Sequence, residues 1–370
     1  MASEEKQLKA VAAQAGKPLY MVVRDAVREA IDNGVFLPGE QMPSTKELSE
    51  QMAVSLVTAH RALQELVTAG VLQRSQGRGT FVHERYLETR GMMMDVRLGL
   101  IFNREASVAD FYHGQILEGV RQAAQSLGID LVMLRFGEDV RKECGGYLFV
   151  NPLPGEVEAL AAGAKRRPPT VVVGAHSSVE EIPGIDVDNL DLGKQAVHHL
   201  TGLGHSRIAY IGTADQISNS KDRWQGFVDA CREKGVSLRD HNLIRSTGWR
   251  LSEPEKMALI RTLSSPNRPT AVFAAGYYFA LDLYTAAATV GLRIPEDMSV
   301  VGVDDPPSAP FLMPPLTTLR QPLIQLGHAA VTALTGKIQN PEEPVEARVL
   351  RAELVARKSS GPVPAGVTGK

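Results

Sequence analysis

The sequence predicts an α/β protein in which a small helical N-terminal domain precedes a larger, bilobed domain with two parallel sheets. Three observations predict it. Apolar residues recur at helical spacing between Leu19 and Gly70, and from Val96 onward short apolar runs alternate with helical stretches. The length, 370 residues, also exceeds what one hydrophobic core serves. Strands that read as continuous apolar runs are buried on both faces, so helices must cover both sides of each sheet.

The elements follow in order. Leu19, Val22, Val23, Ala26, Val27, Ala30 and Ile31 make one face of a helix, which Gly34 ends in a left-handed cap. Pro38-Gly39 turns the chain, and Ser44-Thr45-Lys46-Glu47 is a capping box that opens a short helix to about Met52. Ala59, Leu63, Leu66 and Val67 mark a third helix, beginning near Ser55 and stopped by Gly70. Val71–Arg74 and Thr80–Val82 read as strands joined by Ser75-Gln76-Gly77-Arg78-Gly79, whose glycines permit the turn. Three helices and a β-ribbon make a winged helix-turn-helix, assigned to residues 18–85 after a tail at 1–17. Residues 86–95, with Met92, Met93 and Met94, lack periodicity and read as a linker.

Beyond it come strands at Val96–Phe102, Leu131–Leu134, Gly146–Val150, Val171–Val173, Ile208–Ile211, Ala271–Ala274 and Ser299–Val303. Helices are expected at Ile116–Leu127, Gly226–Glu233 and Ala280–Val290. A ligand of such a domain sits between the two sheets, beside the carboxyl ends of the strands.

Composition limits the function. Cys144 and Cys231 are the only cysteines and form no CxxC, which argues against a disulfide framework or a structural zinc. The longest apolar run, Ala271–Leu281, stops at Asp282, and Met1–Ala10 has charges and no apolar core, so neither a membrane span nor secretion is expected. A cytoplasmic location follows as the expectation. His198, His199 and His205 cluster in sequence, but the adjacent pair points to different helix faces, so no metal is expected. No GxxxxGKS/T, HExxH, GxSxG or GxGxxG occurs; neither enzyme chemistry nor a cofactor is expected.

In a helix-turn-helix the second helix enters the major groove of double-stranded DNA with its N-terminal side chains toward the bases. Here that helix offers Ser55, Leu56, Val57, Thr58, His60 and Arg61. Ser44, Lys46 and the wing's Gly77 and Arg78 would add contacts, mostly to phosphate, which set register. Net charge is −2, and residues 1–90 hold eleven Lys or Arg against eleven Asp or Glu. Binding must therefore rest on Lys46, Arg61, Arg74, Arg78 and Arg85 clustering on one side, doubled in a homodimer with two half-sites. The other reading is a soluble sugar-binding module whose winged helix docks a protein partner.

Pro18 to Val82, containing "LPGEQMPSTKELSEQMAVSLVTAHRALQELVTAGVLQRSQGRGTFV", resembles the GntR-type DNA-binding domain over its whole length. That family usually has Arg where Lys46 and Leu56 stand. Lys46 keeps a charge without the bidentate fork, and Leu56 with Val57 can meet a thymine methyl, so an unusual operator is expected. Residues 96 to about 358 resemble the sensor domain of the LacI family, itself similar to periplasmic sugar-binding proteins. The motifs are "IDVDNLDLGKQAVHHLTGLGHSRIAYIG", "KDRWQGFVDA", "RPTAVFAAG", "VGLRIPEDMSVVGVDD", "PPLTTLRQPLIQLGHAAVTAL" and "ELVARKSS". The combination is similar to the fused, arabinose-repressor-type regulators of bacterial sugar catabolism.

The resemblance implies a dimeric repressor of carbohydrate genes with a sugar-like effector between the lobes. It places the first lobe at about 96–186 plus 306–322 and the second at about 187–305 plus 323–358, leaving a tail at 359–370. It also implies that Arg223 contacts the effector, that Trp249 stacks over it, and that Tyr112 lines the cleft. Tyr277 stands where the family commonly has an acidic residue; a phenol carries no charge at neutral pH, so effector identity does not transfer. The stretch between Leu134 and Tyr147 is short for the family's second crossover helix.

Overall fold

The computed structural model describes residue 8 and residues 18–75, 77–84, 86, 96–137, 144–162, 168–214, 217–238 and 243–364. Arg85, all but the first residue of the expected linker and all but Leu8 of the N-terminal tail lie outside them.

The N-terminal domain folds as its local signals dictate. Helix α1 (Leu19–Asp32) buries Val23, Val27 and Ile31, and Gly34 follows at φ 75°. The capping box forms: Ser44 Oγ accepts from the Glu47 amide and the Ser44 amide donates to Glu47 Oε2 at 2.8 Å, starting α2 (Thr45–Gln51). Ser55 caps α3 (Leu56–Thr68), which buries Ala59, Ala62, Leu63 and Leu66 against α1. Antiparallel β1 (Leu72–Ser75) and β2 (Gly79–Val82) form the wing, pairing Leu72 with Val82.

The larger domain has two six-stranded sheets. Lobe 1 carries β3 (Arg97–Phe102), β4 (Asp130–Arg135), β5 (Cys144–Val150), β6 (Thr170–Val173), β7 (Gly184–Val187) and β13 (Arg348–Leu350). Their order is β13-β7-β6-β5-β3-β4, all parallel. Lobe 2 carries β8 (Ile208–Thr213), β9 (Leu243–Ser246), β10 (Ala271–Ala274), β11 (Ser299–Val303), β12 (Thr317–Arg320) and β14 (Glu353–Val355). Their order is β14-β12-β11-β10-β8-β9, with only β14 antiparallel.

Helices cover both faces. In lobe 1, α4 (Phe111–Leu127) packs on a long C-terminal helix, and α5 (Glu156–Ala162) lies between β5 and β6. Lobe 2 has α6 (Asn189–Gly202), α7 (Ser218–Glu233), α8 (Glu253–Ser264) and α9 (Tyr277–Thr289); the long C-terminal helix is α10 (Leu323–Gln339).

Glycines let two helix pairs approach backbone to backbone. A Cβ on Gly119 of α4 would strike the Ile324 carbonyl of α10, and one on Gly327 the Ile116 carbonyl of α4. In lobe 2, a Cβ on Gly226 of α7 would overlap the Leu190 carbonyl of α6.

These contacts correct the lobe division. The chain crosses at 187–189 as expected, but the second crossing lies at 320–323 and the third between Leu350 and Glu353. Strand β12 pairs in register with β11, Val301 opposite Thr317, which holds 317–320 in lobe 2. Helix α10 then returns to lobe 1, because only there does Gly327 find the glycine face of α4. The tail expected from 359 is also corrected. Ser359 is fully buried, its carbonyl accepting from Val300 N at 2.7 Å and its hydroxyl donating to Val300 O, and Val363 N reaches Leu203 O. His205 helps to hold this segment: Nδ1 lies 3.0 Å from Thr270 Oγ1 and Nε2 3.1 Å from the Gly361 carbonyl. His199 Nε2 lies 2.9 Å from Ser360 Oγ.

Candidate functional site

A cleft of about 370 Å³ opens between the lobes, and Tyr112, Arg223, Trp249 and Tyr277 all line it. Its interlobe ridge is the first turn and a half of α7. Asn219 Nδ2 donates to the Gly174 carbonyl at 3.2 Å and to Asn151 Oδ1 at 3.3 Å, both across the gap in lobe 1. One turn later Arg223 reaches the cleft, only 9% exposed. Its Nη1 donates to the Ala275 carbonyl and its Nη2 to Asn189 Oδ1, each at 2.8 Å, while Nε has no partner among the described residues. Both partners are neutral and belong to lobe 2. Arg223 is therefore a fixed cation on one wall, and among the described residues no interlobe salt bridge occupies its fork.

Aromatic rings form the other surfaces. Tyr112 sits one residue into α4, whose N-cap is Asp110; its hydroxyl points at the Gly174 carbonyl, 3.4 Å away, where a Cβ on Gly174 would meet it. Burial, reinforced by Asp186 and Asp304, pushes its phenol far above the usual range. Tyr277 opens α9 and its hydroxyl lies 2.7 Å from Ser308 Oγ. Trp249 leaves 42% of its surface free at the mouth. Beside it the Arg250 guanidinium lies 4.4 Å from the Tyr278 ring centre, a cation–π contact.

Sequence reasoning missed the floor. Asn103, Asn151, Asp304 and Gln321 line the cleft, and each is the first residue after a strand: β3, β5, β11 and β12. The signal was present, because ligands of parallel sheets lie at the strands' carboxyl ends and three of these strands were legible. Asn151 and Asp304 adopt φ of 48° and 70°, left-handed values that Asn and Asp tolerate better than most residues. The Gln321 amide donates to Asp304 Oδ1 at 2.6 Å, and burial pushes the Asp304 carboxyl up. Opposite, Asp110 Oδ2 lies 2.7 Å from His113 Nδ1. Burial opposes its charge, but hydrogen bonds from His113 hold Asp110 below the usual carboxylate range. Ring faces above amides, a carboxylate and a fixed guanidinium suit a small ligand with hydroxyls and a flat or apolar face.

On the N-terminal domain, the leading face of α3 is open. Leu56 is 55% and Val57 78% exposed, and His60 and Arg61 are also exposed. The hydroxyls of Ser44 and Ser55 are engaged as caps, Ser55 Oγ also pairing with Thr58 Oγ1 at 2.8 Å. Arg61 is braced by Tyr20, its guanidinium 3.8 Å above the ring centre. Arg74 and Gly77 line a groove with Ser44 between the wing and α2, and Lys46 is exposed at the start of α2, while Arg61 lies back on α1 and Arg78 is exposed on the wing.

Residues 19–82 match the bacterial regulatory proteins of the gntR family, and residues 197–360 match a periplasmic binding protein-like domain. The HTH-type transcriptional repressor CytR of Escherichia coli (strain K12) is 30% identical over 228 residues, 61% of this chain; the match spans 65% of that repressor's length. The arabinose metabolism transcriptional repressor of Geobacillus stearothermophilus is 26% identical over 362 residues, covering 93% of this chain and 98% of the relative. The crystal structure of a LacI transcriptional regulator from a Rhodococcus species superposes with a TM-score of 0.61 at 28% identity, over 72% of this chain and 99% of that one.

Proposed function

The chain is a gntR-family domain fused to a LacI-type, periplasmic-binding-protein-like domain, and we propose that it acts as a dimeric transcriptional repressor, its hold on operator DNA set by a sugar-like effector in the interlobe cleft. We assign the reader to 18–85, the linker to 86–95 and the sensor to 96–358 extended through Val363. The observation that carries the proposal is the presence, in one chain, of an uncovered recognition-helix face and a cleft lined from both lobes. An effector that favours one lobe arrangement alters the spacing of two readers across the dimer. Such coupling amounts to about 1–3 kcal/mol and is reciprocal, so operator DNA weakens an inducer by the factor by which the inducer weakens DNA.

The lack of net positive charge over residues 1–90 and the exposed Leu56 and Val57 favour a second reading, a winged helix that docks a protein. A gel shift against duplexes flanking the gene, repeated at rising salt, separates the two. DNA binding falls steeply with salt as counterions are released; no shift in dilute buffer removes the repressor reading. The effector is found by a thermal-shift screen of sugars, sugar acids and nucleosides, since a native-state ligand raises the melting temperature.

A further inference from the structure

Outside the residues that line the cleft, one residue ties the lobes together twice. His176 follows β6 in lobe 1. Its backbone N–H donates to Ser218 Oγ at the start of α7 in lobe 2, at 2.9 Å. Its Nε2 lies 3.3 Å from Asp222 Oδ2 on α7 and 4.0 Å from Asp186 Oδ2 on β7 of its own lobe. The imidazole is 53% exposed, so water reaches it, whereas the Asp186 side chain is 2% exposed. From this geometry, and resting on the sensor reading above, we infer that His176 is a proton-operated clasp between the lobes, so that acidity and effector act on the same closure.

The sign follows from which groups move. When the lobes part, Asp222 leaves with α7, while His176 and Asp186 stay together. Closure brings a second carboxylate against that pair, so a protonated imidazole is attracted by two carboxylates in place of one. Burial pushes the Asp222 carboxyl up and the Asp186 carboxyl to about 6, while the facing imidazole pulls both the other way. Histidine changes charge between about pH 5 and 8, so acidification across that window favours closure and alkali favours opening. Among the described residues, the other charged groups near the cluster are Asp188 and Lys221, which face Asp222, and Arg223, which faces Asp186.

The clasp is joined to the cleft by α7 itself. Asp222 and Arg223 are consecutive, one facing His176 and the other the cleft. Asn189 bridges behind them, its Oδ1 accepting from Arg223 and its Nδ2 lying 3.4 Å from Asp186 Oδ2.

The test uses the full chain without effector or DNA, so its outcome is independent of the repressor reading, which the gel shift decides. Nitroxides are placed at Val108→Cys in lobe 1 and Met257→Cys in lobe 2, both exposed in the native chain, while the native Cys144 and Cys231 are buried. Pulsed electron resonance then gives the interlobe distance distribution at pH 6, 7 and 8.5. The ratio of closed to open chains is expected to be several-fold higher at pH 6 than at pH 8.5. In His176→Gln the ratio changes less than twofold, and Asp222→Asn behaves alike with His176 intact. A native distribution that does not move with pH overturns the inference, as does a His176→Gln chain that moves as far as the native one.

Discussion

Nη2 of Arg223 donates to Oδ1 of Asn189 over 2.8 Å, tying a cleft residue of α7 to the first residue of α6, where the chain enters lobe 2. The cation is therefore set by a helix–helix contact and not by a loop. Replacing Arg223 by Ala leaves Asn189 Oδ1 and the Ala275 carbonyl short of a partner, each a buried polar atom whose desolvation costs about 1–3 kcal/mol. The expected outcome is a lower melting temperature, loss of effector response and retained operator binding. Arg223→Lys keeps the charge but not the fork, and should recover little of the response. An effector response unchanged in both variants would remove Arg223 from the site.

Helix contact also predicts opposite effects for two helical glycines. Gly226→Ala drives a methyl into the Leu190 carbonyl, so α6 and α7 must separate, at a cost of about 1–3 kcal/mol and with Arg223 displaced. Gly336→Ala in α10 meets nothing within 4 Å and should stabilise by about 0.5–1 kcal/mol through helix propensity. Urea unfolding of the two variants measures both; a neutral Gly226→Ala would contradict the close crossing.

The reader's face gives a prediction free of folding effects. His60 is exposed on α3, so His60→Ala should reduce operator affinity, leave the melting temperature no lower and leave effector binding intact. Arg61→Ala should reduce affinity and also lower stability slightly, because its guanidinium covers Tyr20. Loss of effector binding in either variant would contradict the division of labour between the domains.

Acid sensitivity is predicted for His328 of α10. Burial, followed by the nearby Arg24 and Arg28 of α1, lowers its imidazole to about 4. The sign is that of a group protonated in the unfolded chain and neutral in the folded one. Its contribution is whole above the unfolded value and is lost as pH falls from about 6.5 toward 4, about 2 kcal/mol by pH 5. His328→Gln should therefore show a smaller fall in melting temperature between pH 7 and 5 than the native chain. An equal fall would place the acid sensitivity elsewhere.

Arg24 and Arg28 also show what local patterning does not reveal: a helix of the N-terminal domain lies close enough to α10 of lobe 1 to bias a histidine there. The two are some three hundred positions apart in sequence, and no spacing rule connects them.

What the sequence determined by itself is whatever depends on neighbours along the chain. The capping box at Ser44, the cap at Ser55, the stops at Gly34 and Gly70 and the apolar strands at Ala271 and Ser299 were all legible, because each is a local backbone or burial requirement. Tertiary structure alone decided which lobe received α10, since Gly327 and Ile324 reveal their purpose only against Gly119 and Ile116. It also decided the cleft floor: Asn103, Asn151, Asp304 and Gln321 are ordinary polar residues in sequence, and they converge because parallel strands bring their carboxyl ends to one edge. Pairing of strands and crossing of helices is non-local, and that is the information a pattern along one chain does not carry.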